Sequence, residues 1–510
     1  MLWIEEIRPF ELRNDGSRAL IHVNEVQAAP YNLSGNGLNL GMWDKGSVFA
    51  HDAFAGRLVI KESGSISEHA THVAGTMAGN GANSLNNYLH GMAPHANVYS
   101  WKYGTTDEGG WTETYNEMVS GVDDDDIILS QNSWGENTRV DDEGKYKFGS
   151  HIMDKLVREK NIPVIFAVGY GTTATKPYGT LWIPETGKNI IAVTATTKTG
   201  GPYPNNRASK GPCLDGRLKP DIAAAGVDIV STWIDNGYYT DTGTSMAAPA
   251  ISGTLALLIE RFKQQNNNAL PDASLIKAIL LNTATDIGNW GPDYKYGYGL
   301  ANALNAVKLI DGHNHLMSSI SQGGTNTHSL AVPSGITELR VMLTYTDPEA
   351  LPNAIPAWIN NLDITLIAPN TFEYLPLTLD PSNPSAIAEF AVNNRDNVEQ
   401  VAVGEYWTGE PVQAGNWTIK ITAPSVPMGP QQYAITWFMD GTVSVTVDQK
   451  LNDNTTRVGT IGHWIGLSFE PRFAPPKDFT FSLGTIETFH GDVNVYSNEK
   501  YNKWNDFPNG

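Results

Sequence analysis

Residues 243–262 read GTSMAAPAISGTLALLIERF, an apolar helix with a serine at its head. Gly, Thr, Ala and Pro crowd that serine. A helix N-terminus carries unpaired N–H groups and the positive end of the dipole, so Ser245 stands where a developing negative charge is stabilised. Gly243, Ala247 and Ala248 are small enough to let another backbone approach. Pro249 falls in the first turns, where a missing N–H costs little. A serine at a helix start is, taken alone, most often only a cap, so its meaning depends on partners elsewhere in the chain.

The bulk composition narrows the field. The chain has 510 residues, space for two to four domains at about 100–200 residues each. Its formal net charge is −20 and Lys/Arg never cluster, which argues against a nucleic-acid partner. Cys213 is the single cysteine, so no intrachain disulfide forms. No apolar run is long enough to span a membrane. The start, MLWIEEIRPFELRND, lacks the basic and apolar regions of a signal peptide, so the chain is either cytoplasmic or begins after a removed leader.

From about 36 to 310, short apolar runs (LNLGMW, NVYSWKY, DIILSQNSW, IPVIFAVG, NIIAVTAT) alternate with helical patterns (HATHVAGTMAG, SHIMDKLVREK, the 245–265 segment, DASLIKAILLNTA). This predicts an α/β fold, a doubly wound and mostly parallel sheet, over residues 1–312. Asp272 is the predicted N-cap of the last helix. After about 313, ELRVMLTYTD, LDITLIAP, NWTIKITAP and QQYAITWFM alternate like antiparallel strands and predict an all-β sandwich or jelly roll over 313–440. Residues 441–510 stay β-like and are expected to form a small third module. The DDDD run at 123–126 reads as a solvated loop.

A serine nucleophile needs a base, and the base needs a group to orient it. LGMWDKG puts Asp44 at the end of an apolar strand; SEHATHVAG puts His69 at the head of a small-residue helix. The order is Asp, His, Ser, whereas α/β-hydrolases run Ser, Asp/Glu, His. WDKG, HATHVAG and GTSMAAP together resemble the three motifs of the subtilisin-like serine proteases, the subtilases. GMAPHANVYSWK, SWG at 133–135 and SKGPCLDGRLKPDIAAAG resemble further landmarks of that family, over about 36–310. LTYTDPE, WINNLDITLIAPN, NNRDNVEQV and AGNWTIKITAPSVPMGPQQYAITW resemble the jelly-roll domain that follows the protease in a bacterial subset, related in architecture to the P domain of proprotein convertases.

The resemblance implies a serine endopeptidase with Asp44, His69 and Ser245 as its triad. His72 is expected to be a core histidine. Three positions depart from the family pattern. Lys45 replaces a small hydroxyl residue and Ala70 replaces a Gly. Tyr170, in FAVGYGTT, stands where the family has the Asn whose side chain completes the oxyanion hole with the Ser245 backbone N–H. An alternative follows: a catalytically impaired, protease-shaped protein that binds peptides. The intact triad favours the enzyme.

The resemblance also implies that a polypeptide substrate adds as a strand between Ser133, Trp134, Gly135 and Ala167, Val168, Gly169, with Trp182 near the floor of the pocket for the residue before the scissile bond. Asp347, Asn361, Asp363, Asn394, Asp396 and Glu399 supply oxygen donors of the kind structural Ca²⁺ takes. Family members are made with an inhibitory propeptide and exported. Too few residues precede Asp44 for one, so a secreted, mature and monomeric protein is expected.

Overall fold

The computed structural model describes residues 15–104, 108–136, 140–171 and 173–441, and the backbone of 448–449 and 481–482. Apart from Gly441 and those four residues, the expected third module lies outside the described residues. Two short helices, α1 (Asp15–Leu20) and α2 (Val23–Gln27), lead into β1 (Asn39–Asp44). A seven-stranded sheet follows: β2 (Leu58–Ile60), β3 (Asn97–Lys102), β4 (Ile127–Asn132), β5 (Val164–Ala167), β6 (Ile191–Thr196) and β7 (Ile222–Ala225), in the order β2-β3-β1-β4-β5-β6-β7. All neighbours in this sheet run parallel.

Side-chain alternation assigns each strand residue to one of two cores. On one face Leu40, Met42, Ile165, Ala167, Ile191 and Val193 pack with α3 (Glu68–Ala78) and, later in the chain, α6 (Thr244–Gln265). On the other, Trp43, Ile127, Val164 and Phe166 pack with α4 (Glu108–Asp125) and α5 (Phe148–Lys160). Asp44 continues the parity of Leu40 and Met42, which directs it toward α3. The aspartates expected in a loop at 123–126 instead run into the last turn of α4, which ends at Asp125. Lys160 pairs with Asp123 at 2.7 Å and Lys61 with Asp125 at 2.8 Å, offsetting their unfavourable place at a helix C-terminus.

The hairpin β8 (Ile229–Thr232) and β9 (Tyr238–Asp241) leads into α6, followed by α7 (Ala273–Asn282) and α8 (Ala303–Asp311). Asp272 caps α7 by accepting from the Ser274 N–H at 2.8 Å. Antiparallel strands then take over: β10 (His315–Ile320), β11 (Thr325–Val332), β12 (Ile336–Thr344), β13 (Asn361–Ile367), β14 (Glu373–Tyr374), β15 (Leu377–Thr378), β16 (Glu389–Phe390), β17 (Val398–Gly404), β18 (Gly415–Ser425) and β19 (Gln431–Gly441). Eight of them build two four-stranded sheets, β10-β19-β12-β17 and β11-β18-β13-β14, around Leu339, Val341, Leu343, Ile364, Trp417, Ile419 and Ile435, while β15 and β16 pair with each other.

The first of these sheets is buried on both faces. Val341 and Ile435 point into the sandwich, while Met342, Ala434 and Phe438 join the core of the parallel sheet beneath α7. Polar ties cross the same boundary. Asn282 donates to the carbonyls of Arg340 (3.3 Å) and Thr436 (3.2 Å), and Gln400 donates to Asn282 at 3.0 Å. Lys188, on the loop before β6, is fully buried and pairs with the equally buried Asp347 at 2.6 Å. Its ammonium also donates to the carbonyls of Pro348 and Ala357. Removing one member of such a pair strands a buried charge. Lys188→Met is therefore expected to destabilise the protein by about 3–5 kcal/mol, read as a lower unfolding transition in calorimetry. The double variant Lys188→Met/Asp347→Asn should recover more than half of that loss. A single variant as stable as the parent would remove the pair from any role in joining the layers.

Candidate active site

In a doubly wound sheet, ligands bind at the carboxyl ends of the strands where the strand order reverses. Here β1 is that strand, flanked by β3 and β4. Asp44 ends β1, and Ser133, Trp134 and Gly135 follow β4. Ala167 ends β5, with Val168, Gly169 and Tyr170 beyond it.

The Asp44 carboxylate is 1% exposed and receives the Lys45 backbone N–H at 2.8 Å. Nδ1 of His69 lies 2.9 Å from each of its two oxygens. His69 occupies the first turn of α3, which Ser67 caps by accepting from the Ala70 N–H at 3.0 Å. Burial pulls the imidazole pKa down, but the charge of Asp44 and its hydrogen bond outweigh burial and raise it above the ordinary histidine value. His72 behaves differently. It is fully buried, with Nε2 at 3.0 Å from the Ile229 carbonyl, and burial lowers its pKa to about 4. It is a neutral core residue.

Ser245 is the second residue of α6, and among the described residues its backbone N–H has no partner. Its hydroxyl donates to the Ser133 carbonyl at 3.2 Å and makes no bond to His69. The Ser133 hydroxyl returns the contact, donating to the Ser245 carbonyl at 2.8 Å. Pro249 explains why that carbonyl is free. Four residues after Ser245, it lacks the N–H that would close this helical turn. Ser133 uses the acceptor that Pro249 vacates. This second role of Ser133 was not read from the sequence, although a proline four residues after the serine was its signal.

Tyr170 reaches the same helix end. Its phenol oxygen accepts the Thr244 backbone N–H at 2.8 Å, and a Cβ on Gly243 would collide with it. The smallness at Gly243 thus accommodates a tyrosine of this chain, rather than only an incoming backbone. Gly169 donates to the Thr244 hydroxyl at 3.2 Å, tying the β5 end to α6. Trp134 stacks on Tyr103 with centroids 4.6 Å apart, and Trp182 packs against Gly169.

Each of the six oxygen donors expected to bind calcium can be placed by its neighbours. Among the described residues, no three His, Cys, Asp or Glu side chains form a metal-binding group. Asp347 is spent on Lys188 and on the N–H groups of Ile359 (2.9 Å) and Asn360 (2.8 Å). Asp396 receives Leu218 N–H at 2.8 Å and Asn393 at 3.0 Å. Asn361 donates to Asp363, Asn394 is exposed, and Glu399 receives the Ile364 N–H at 3.0 Å.

The model of the subtilase family (peptidase S8) matches residues 60–299, a span that contains His69 and Ser245 and starts after Asp44. The serine protease AprX of Bacillus subtilis is 29% identical over 327 residues, covering 56% of this chain and 70% of its own. Subtilisin DY of Bacillus licheniformis is 28% identical over 303 residues, covering 57% and 97%. A thermostable alkaline protease of Halalkalibacterium halodurans is 28% identical over 297 residues, covering 56% and 72%. No helix among the described residues is long and apolar enough to cross a membrane.

The electrostatics of His69 can be checked by NMR. Its titration midpoint should lie above that of an ordinary histidine. In Asp44→Asn the raising charge is gone and burial remains, so the midpoint should fall below the ordinary value. An unchanged midpoint would mean that Asp44 does not govern the imidazole.

Proposed function

We propose that this chain, which carries a subtilase-family domain and is a subtilisin-like serine endopeptidase, cleaves peptide bonds through Asp44, His69 and Ser245 by way of an acyl-enzyme. The observation that carries this reading is the imidazole held at 2.9 Å by a buried carboxylate, with Ser245 at the N-terminal end of α6, a helix on the same face of the sheet as the one that bears the imidazole. Asp44 fixes the tautomer with the proton on Nδ1, leaving Nε2 to take the proton of Ser245. The Ser245 hydroxyl must first leave the Ser133 carbonyl. A substrate backbone N–H arriving along 133–135 takes its place there, which releases the hydroxyl toward His69 as substrate docks. The facing segment 167–169 receives the other edge of the substrate strand.

The tetrahedral intermediate places negative charge at the mouth of α6. We assign its stabilisation to the Ser245 N–H and the Tyr170 hydroxyl. Tyr170 accepts from Thr244, so its oxygen is anchored and its own proton remains to be donated. A phenol polarised by a helix N-terminus thereby does what a side-chain amide does elsewhere. Tyr170→Phe should lower kcat by about 10²–10³ with little change in KM, the range that follows loss of one oxyanion donor in subtilisin. Steady-state hydrolysis of a peptide anilide measures it, with Ser245→Ala as blank. A phenylalanine variant as fast as the parent would leave the oxyanion to Ser245 alone.

Calcium also enters as a proposal, reduced to two of the expected ligands. One oxygen of the fully buried Glu399 has no partner, and burial, with the charges of Asp363 and Asp396, pushes its carboxyl well above the usual range. A cation between Glu399 and Asp363 would relieve both. Excess EDTA should then lower the melting temperature, by the linkage that gives about 2.7 kcal/mol at 100 times Kd. An unchanged melting temperature and no bound calcium by elemental analysis would show Glu399 to be a protonated core acid. We further propose that the antiparallel sandwich is a jelly roll forming its own domain. The resemblance also supports a monomer that acts outside the cell after removal of a propeptide.

A further inference from the structure

Glu185 is fully buried, and no side chain among the described residues hydrogen-bonds its carboxylate; the backbone N–H groups of Trp182 and of Glu185 itself are the donors that bear on it. Burial pushes its pKa well above the usual range. The backbone groups of Trp182 and Glu185 itself oppose this, and the neighbouring charge that bears on it is another acid, Glu136. A buried acid with no basic side chain bearing on it is costly, and its surroundings give it a use. Oε1 lies 2.5 Å from where a Cβ on Gly135 would stand, so the carboxyl rests on the bare Cα of one substrate-lining segment. The indole of Trp182 rests in the same way on Gly169, 3.1 Å from its absent Cβ, in the facing segment. A β-bridge between Glu136 and Ile183, with an N–H to carbonyl distance of 2.7 Å, holds the 182–185 turn behind both walls.

This inference rests on the triad reading above. We propose that Glu185 sets the specificity for the residue before the scissile bond, accepting lysine or arginine there. An apolar wall leading to a terminal carboxyl fits a long aliphatic stem ending in a cation: the stem lies along Trp182 and the charge reaches Glu185. The carboxyl has no exposed surface in the free protein, so the indole swings aside as the side chain enters. The neutral acid then becomes a carboxylate paired with the incoming cation, and one proton passes to solvent.

The experiment uses the full chain and serine-directed peptide phosphonates differing only in the P1 side chain: lysine, leucine or alanine. Labelling of Ser245 is followed by mass spectrometry. The lysine probe should react at least about tenfold faster than the leucine probe, and Glu185→Gln should reverse that order. A parent that reacts fastest with leucine or alanine overturns the proposal and leaves Trp182 simply shortening the pocket. So does a folded Glu185→Gln protein that keeps the lysine preference. If that variant fails to fold, the order of rates in the parent decides. A parent that reacts with no probe overturns the triad reading instead. The pocket is then read by calorimetry of a peptide with C-terminal lysine in buffers of different ionisation enthalpy. Release of one proton supports the role of Glu185, and binding without release, or no binding, overturns it.

Discussion

The hydroxyl of Ser133 on the carbonyl of Ser245 is the contact that joins the two halves of the site. Pro249 makes it possible by withholding the N–H that would otherwise close the helix over that carbonyl. The end of β4 is thereby fixed against the start of α6, and Thr244 fixes the end of β5 in the same way through Gly169. Segments 133–135 and 167–169 are thus both referenced to the helix that carries Ser245. A shift of α6 would move the serine, the N–H groups at its helix end and the cleft walls together.

Strand parity does the rest of the positioning. Asp44 shares a face with Leu40 and Met42, and that face carries α3 and α6. A one-residue slip in β1 would turn the carboxylate toward the tryptophans of the opposite core and away from His69. Asp44 is therefore held in place by the packing of apolar neighbours as much as by its own hydrogen bonds. Cooperation between a buried carboxylate and a less buried imidazole then raises the histidine pKa against the pull of desolvation.

Acidic residues in this chain meet three different fates. Asp347 is neutralised by Lys188 across the boundary between the parallel sheet and the sandwich. Asp221 is held by Lys219 at 2.5 Å and Lys277 at 3.1 Å under the sheet. Glu185 and Glu399 are buried with only backbone donors to their carboxylates, and desolvation pushes both well above the usual carboxylate range. Sequence spacing does not distinguish these fates, because each partner arrives from a distant segment: Lys188 lies 159 residues from Asp347.

What the sequence determined by itself was local or ordered along the chain. Alternating apolar runs and helical patterns indicate the parallel sheet and the antiparallel strands after it, since each pattern is imposed by the period of its own element. The order of Asp44, His69 and Ser245, each at an element end, distinguished this arrangement from other serine hydrolases. The Asp272 cap was readable because capping is a contact two residues long. Tertiary structure alone decided matters that depend on distant partners. It seated Tyr170 on the Thr244 N–H, gave Ser133 the carbonyl freed by Pro249, and paired Asp347 with Lys188. It also placed Glu185 behind Gly135. The physical reason is common to all four. Hydrogen bonds and ion pairs are satisfied by whichever group the packing brings within about 3 Å, and that neighbour is set by the layering of the whole chain rather than by the residues beside it in sequence.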